Sequence, residues 1–391
     1  MNAPIPADAG PDGDSALRLA APYDPDSLDD LLERFGSPLL VIDCDVIRRQ
    51  YAALAAALPG VDLHYALKPL PDIDVVRTLA ALGSGFDLAT SGEVELVRRA
   101  GVDPGRCIHT HPIKREGDIR DALEFGVRTF VADNPDELRR FRGCADRVEL
   151  LIRVSFRSPA AVVDLSRKFG CDPEAAPGLI GQAREAGIRV AGLSFHVGSQ
   201  SRTPDTKVRA IEVCTGILRR AASSLSAPPV LDIGGGFPID YLEPASPIDA
   251  FCEPIRTALR GLPEGTRILA EPGRFICGPA GTILTTVMGR AWRDGRWWYY
   301  LDDGLYGSFS GQLYDHARYP VAPLRDKPGP RFHSVLAGPT CDSIDVVRED
   351  IELPELEAGD VIVGRQMGAY TVASATDFNF FPRARTVVVN R

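Results

Sequence analysis

No run of eighteen or more apolar residues occurs in the chain, so no segment is long and apolar enough to cross a bilayer as a helix. The opening stretch, MNAPIPADAGPDGDSALRLAAPYDPDSLDD, lacks the basic start and apolar centre of a secretory signal. It is rich in Pro, Ala, Gly and Asp, and residues 1–20 read as a loose, flexible tail. Excess positive charge is missing too. Asp and Glu number 53 against 44 Lys and Arg, and the net charge of -9 argues against a general nucleic-acid binder. The eight cysteines form no C-x-x-C pair and no Cys/His cluster at zinc spacing, so no metal site is expected. Reduced thiols in a cytoplasmic, membrane-free protein are the expectation.

What is present is order along the chain. The 391 residues suit one large barrel plus a second domain. From LLVIDCDVI at residue 39 to RILAEPG near residue 270, short apolar strands alternate with helices of 3.6-residue period, about eight times. One of these helices, SGEVELVRRAG, takes Ser91 as its cap and Gly101 as its stop. Sustained alternation implies a parallel sheet with right-handed crossovers, and eight repeats favour a closed (β/α)8 TIM-like barrel. Beyond about residue 280 the helical period fades into strands split by Gly, Pro and Asp, which predicts a C-terminal β domain of sandwich or barrel-like form. The expected division is a tail over 1–20, a segment over 21–40 joining the β domain, a barrel over 41–278 and the β domain over 279–391.

Active residues of such barrels sit at the C-terminal ends of the strands. Lys68 ends HYALK; Asp87 follows GF; His111 lies in CIHTHP and Arg153 in LLIRVS. His196 and Ser199 lie in SFHVGSQ, Gly234, Gly235 and Gly236 end LDIGGG, and Glu271, Gly273 and Arg274 lie in AEPGR. Alone, each is weak: a rim lysine is usually solvated, a glycine run is often a tight turn, and a glutamate and an arginine three apart can simply pair. Together they match one ligand. Pyridoxal 5′-phosphate needs a lysine for its Schiff base and backbone N–H groups plus an arginine for its phosphate. It also needs a carboxylate at its pyridine nitrogen and a flat group over its ring.

YALK, GFDLATSGEVELV, LSRKFG, SFHVGSQ, LDIGGGFP, AEPGRF, DDGLYGSF, GPTCDSID and MGAYT, in this order, resemble the ornithine/diaminopimelate/arginine decarboxylase family of barrel-type pyridoxal-phosphate enzymes. The resemblance runs from about Leu39 to Val389. It implies that Lys68 carries the Schiff base, that His196 stacks on the cofactor ring and that Glu271 faces the pyridine nitrogen. Gly235, Gly236, Gly273 and Arg274 form the phosphate cradle, with Ser199 and Tyr370 as further ligands and Asp87 and Arg153 beside the cofactor. Cys341 is implied as the general acid. Cys341 and Asp342 reach across a homodimer interface into the partner's site. Tyr314, Asp315, Asp342 and Phe378 are implied near the substrate, with Asp315 and Asp342 binding a distal ammonium.

Departures from the family bear on the substrate. YALKPL stands where YAVKAN is common, and FNFF puts Phe380 where the eukaryotic ornithine branch has glycine. CDSID with YGSFSGQLYDHA resembles the ornithine/lysine branch, so L-ornithine or L-lysine, going to putrescine or cadaverine, is the expected substrate. Another diamino acid such as diaminopimelate, or a specialised-metabolism intermediate, is the alternative. A barrel-type racemase would pair the ring nitrogen with an arginine, which Glu271 disfavours. A non-catalytic regulator would not need Lys68, Glu271 and Cys341 together.

Overall fold

The computed structural model describes residues 23–157, 161–163 and 167–391. The tail expected over 1–20 and the first two residues of LSRKFG lie outside them. Eight parallel strands close into a barrel: Val61–Ala66, Gly85–Leu88, Cys107–His109, Thr129–Ala132, Glu149–Val154, Arg189–Phe195, Val230–Asp232 and Arg267–Ala270. The last returns to the first, with Ala270 opposite Leu63. Ile108, Val131, Leu151, Ala191 and Leu269 pack together inside the barrel. Their chain neighbours Cys107, Phe130, Leu150, Val190 and Ala270 belong to the separate core that packs against the helices. Successive strand side chains point to opposite faces, and here both faces are covered. That is why these strands read as continuous apolar runs.

Leu39–Asp43 heads the alternating series in the sequence but is not a barrel strand. It lies antiparallel to Gly281–Arg293 and parallel to Arg385–Val389, in the second sheet. Its five residues are all buried, and an apolar run does not say which sheet will cover it. The second sheet has eight strands and is mostly antiparallel, ordered around the long strand Gly281–Arg293. Among the described residues no helix is long and apolar enough to cross a membrane.

Helix ends follow local chemistry. Ile73–Ala81 starts after Asp72, whose carboxylate accepts from Asp74 N at 2.8 Å and Val75 N at 3.2 Å. Pro69 and Pro71 precede that cap, and Leu70 N–H donates to Leu67 O at 3.1 Å, so the chain behind Lys68 is fixed in a tight turn. The helix Ser91–Arg99 is capped one residue earlier than expected. Thr90 accepts from Glu93 N at 3.4 Å, while Glu93 reaches back to accept from Ala89 N at 2.5 Å, one residue before the cap. Ser91 instead donates its hydroxyl to Asp118 at 2.9 Å.

Candidate active site

Every barrel strand that supplies a candidate residue delivers it at its C-terminal end, and these ends surround a cavity of about 310 Å³. Lys68, Asp87, Arg153, His196, Glu271 and Arg274 all line it. Lys68 Nζ lies 3.8 Å from Asp87, and 47% of its side chain stays accessible through the cavity. It is therefore a reachable amine rather than a sealed ammonium. Burial works against its charge, but Asp87, Tyr370 and Glu271 outweigh that and raise its pKa.

Two carboxyl groups are held above their usual range. Burial, the charge of Glu271 and incomplete relief from Lys68 push Asp87 up to about 7. Burial and the neighbouring Asp232 push Glu271 up to about 8. His196 goes the other way. Burial, then the charges of Arg153 and Lys68, hold its imidazole well below the ordinary value, so it is neutral at pH 7. Its Nδ1 accepts from Gly198 N at 3.0 Å, which fixes the ring.

The opposite end of the cavity is built for an anion. Arg274 is almost completely buried and donates to Tyr241 Oη at 2.6 Å, to Ser199 Oγ at 3.2 Å and to Asp315. Its guanidinium lies 4.8 Å from the centre of the Tyr370 ring. Tyr370 N–H donates to Pro69 O at 3.0 Å, so the turn behind Lys68 also holds this wall. Gly236 has φ of 90°, and a Cβ there would lie 2.2 Å from Gly198 O. A Cβ on Gly235 would lie 2.5 Å from Glu271 O, and one on Gly273 2.7 Å from Pro69 Cγ. Side chains at these three positions would collide with the packed backbone and with Pro69. An amine, a carboxyl group, a flat neutral imidazole and an anion cradle thus share one cavity, and they fit pyridoxal phosphate.

Five expected residues line no part of this cavity: Gly235, which lies in the glycine turn behind it, and Cys341, Asp342, Tyr314 and Phe378. Tyr314 ends the short helix Gly311–Tyr314 with its side chain turned outward, 58% exposed. Phe378 is 40% exposed and stacks on Tyr306, ring centres 4.3 Å apart. Asp342 accepts from the Tyr306 hydroxyl at 2.5 Å, and Cys341, the one exposed cysteine, lies with its Sγ 3.3 Å from Asn379 Oδ1. Asp315 does line the cavity, but paired with Arg274.

The structure adds residues that were not foreseen. Thr110 donates its hydroxyl to Asp87 at 2.5 Å, Tyr241 holds Arg274, and Phe169 lies under the Arg153 guanidinium at 5.5 Å. Thr110 directly follows a barrel strand and is visible on that ground. Tyr241 and Phe169 sit in loops and carry no such signal.

The raised pKa of Asp87 makes a prediction for the cofactor-free protein. Its folded value of about 7 exceeds the ordinary 3.8, so the folded state binds the extra proton. That contribution is present below about pH 4 and is lost as pH rises through about 7. The apoprotein's Tm should therefore fall between about pH 5 and about pH 8, and Asp87→Asn should flatten part of that fall. Calorimetry of both proteins across the range checks it; parallel slopes would contradict it.

The chain is similar to known proteins. The family model described as pyridoxal-dependent decarboxylase, pyridoxal binding domain, matches residues 44–278. The chain is 36% identical over 359 residues to a lysine/ornithine decarboxylase of Selenomonas ruminantium, covering 92% of this chain and 91% of that one. A solved lysine/ornithine decarboxylase from Vibrio vulnificus, complexed with cadaverine, is 55% identical with a TM-score of 0.90, covering 95% of this chain and 100% of that one. The arginine decarboxylase of Paramecium bursaria Chlorella virus is 30% identical with a TM-score of 0.88, covering 93% of this chain and 100% of that one. The Lys68 amine, the Glu271 carboxyl and the Arg274 cradle thus sit in a chain that belongs to the pyridoxal-dependent decarboxylases, in their ornithine/lysine branch.

Proposed function

We propose that this protein decarboxylates L-ornithine or L-lysine to the corresponding diamine, in a homodimer whose two active sites each draw on both chains. The observation that carries the reading is the meeting of Lys68, Glu271 and the Arg274 cradle in one cavity, with relatives that are lysine/ornithine decarboxylases over nearly the whole chain. Bound pyridoxal phosphate supplies the sink for the electron pair left at Cα when carbon dioxide departs.

The chain's own residues do the rest. Lys68 has to lose a proton before its Nζ can bond to a carbonyl carbon, and Asp87, 3.8 Å away with a pKa near 7, can take it. Glu271 carries a proton that it can share with a ring nitrogen, because burial and Asp232 keep it protonated near neutral pH. His196, being neutral, would cover a ring face without placing a second cation there. Gly235, Gly236, Gly273, Ser199, Arg274 and Tyr370 would hold the phosphate. Asp315, on the same wall beside Arg274, would offer its carboxylate to a distal ammonium.

The missing functions lie on the surface. Cys341 would protonate Cα, and Asp342 would join Asp315 at the distal ammonium, each arriving from the second copy with Tyr314 and Phe378 nearby. A carbon dioxide release assay over L-ornithine, L-lysine, L-arginine, meso-diaminopimelate and L-glutamate tests the reading. Turnover of ornithine or lysine supports it, and preference for glutamate, which two carboxylates would repel, removes Asp315 and Asp342 from the substrate site.

Asp342→Asn keeps the shape and removes the charge. It should cut kcat/KM on the preferred diamino acid by about 30-fold while cofactor affinity stays within about twofold. Unchanged kcat/KM would mark Asp342 as an ordinary surface carboxylate.

A further inference from the structure

Two lysines other than Lys68 are buried close to the barrel rim, and they are buried differently. Lys114 pairs with Glu137 at 3.2 Å and also donates to three backbone carbonyls. Lys207, in the first turn of the helix Asp205–Arg220, is just as buried but has no carboxylate partner among the described residues. Its Nζ donates to Ile233 O at 2.6 Å and Gly235 O at 3.0 Å. Phe237, with its centre 4.9 Å away, and Phe195 at 5.6 Å flank it, and Cys252, Asp232 and Glu271 lie near enough to favour its charge without an ion pair. Burial draws its pKa down to about 8, which still leaves it charged at pH 7. An interior cation without an ion pair is costly, and two carbonyls, two rings and the more distant charges of Asp232 and Glu271 only partly offset that cost.

The two carbonyls belong to the glycine turn under the cavity. A trans peptide points its C=O and its N–H in opposite directions. Where Gly235 C=O turns back to Lys207, the Gly236 N–H on the same peptide must turn away from it. Gly236 lines the cavity, and its N–H has no hydrogen-bond partner among the described residues. The Ile233–Gly234 peptide, two earlier, obeys the same rule: Ile233 C=O meets Lys207, while Gly234 N–H donates to Asp232 Oδ1 at 2.9 Å. Lys207 thus clamps the turn from behind, and its charge lies one peptide away from the place where an anion would bind.

We propose that Lys207 is a positioning residue for the phosphate end of the cofactor: by holding Gly235 C=O from behind, it turns the Gly236 N–H toward the phosphate. The inference rests on reading the Gly236, Gly273 and Arg274 surface as the phosphate cradle. Lys207 touches neither substrate nor reacting atoms, so its effect should appear in phosphate recognition and not in ring recognition.

The test compares pyridoxal phosphate with pyridoxal, which lacks the phosphate. Full-length apoprotein, wild type and Lys207→Met, is titrated with each, following quenching of tryptophan fluorescence. Methionine matches the length of lysine and removes both donors and charge. Wild type should bind pyridoxal phosphate far more tightly than pyridoxal. Lys207→Met should lose about tenfold or more in affinity for pyridoxal phosphate and less than about twofold for pyridoxal. Equal losses on both ligands would mean a merely structural role and would overturn the proposal, as would no loss on either. If Lys207→Met does not fold, Lys207→Gln keeps an amide donor without the charge. It should show a smaller loss, again confined to the phosphorylated ligand, and unchanged discrimination in that variant overturns the proposal. A wild-type protein that fails to discriminate between the ligands would instead overturn the cradle assignment itself.

Discussion

Lys68→Ala protein is expected to bind pyridoxal phosphate without a covalent bond and to turn over substrate about a thousandfold more slowly than wild type, within the 10²–10⁴ range for removing a positioned proton carrier, with the lost nucleophile added. Nothing in the fold opposes the substitution. Half of the Lys68 side chain faces the open cavity, and the turn behind it is held by backbone bonds and two prolines. The variant should therefore match wild type in its circular dichroism while losing activity. Borohydride reduction followed by peptide mass mapping reads the bond directly: wild type should gain the cofactor's mass on the peptide carrying Lys68, and the variant should gain it nowhere. The neighbours of Lys68 add a kinetic signature. Asp87, Tyr370 and Glu271 favour its ammonium, so a proton must leave before it can react, and attachment to wild-type apoprotein should accelerate as pH rises. Normal turnover in the alanine variant would remove Lys68 from the chemistry.

The site was legible in the sequence to the extent that backbone position dictates it. Lys68, Asp87, Arg153, His196, Gly236 and Glu271 all fall at the ends of strands whose apolar runs are unmistakable, and a closed parallel barrel brings strand ends together wherever they lie in the chain. What depends on side-chain direction was not legible. Lys207 reads as one more polar residue in the first turn of a helix, yet it points inward beneath the glycine turn. Tyr241 gives no sign in the sequence that its hydroxyl will meet Arg274. Leu39–Asp43 carries the same apolar pattern as a barrel strand, and only its pairing with Gly281–Arg293 and Arg385–Val389 assigns it to the other sheet. Asp315, expected to face a substrate amine, lines the cavity and pairs there with the arginine of the cradle, a contact that depends on side-chain direction.

Cys341 is the residue whose position says most about assembly. A general acid has to lie within hydrogen-bond reach of the atom that it protonates. Cys341 is exposed, its Sγ contacts Asn379, and it lines no part of the cavity that holds Lys68. Either it has no role in the chemistry, or a second copy brings it to the site, and mixing two inactive variants decides between these. Lys68→Ala lacks the amine and Cys341→Ala lacks the acid, so each homodimer has two defective sites and should be slow, the second by about a hundredfold on the Cα protonation step. Random exchange of equal amounts makes about half of the dimers mixed. In a mixed dimer with shared sites, one site receives the wild-type Lys68 and the wild-type Cys341 together, and the other receives neither. Activity should therefore climb on mixing to about a quarter of the wild-type value, with the time course of subunit exchange followed by differently tagged chains. If each site were built from one chain, every site in every dimer would keep one defect, and exchange would restore nothing. Confirmed exchange with no recovery would mean that each site takes its lysine and its cysteine from one chain, and a fully active Cys341→Ala homodimer would place Cys341 outside the active site.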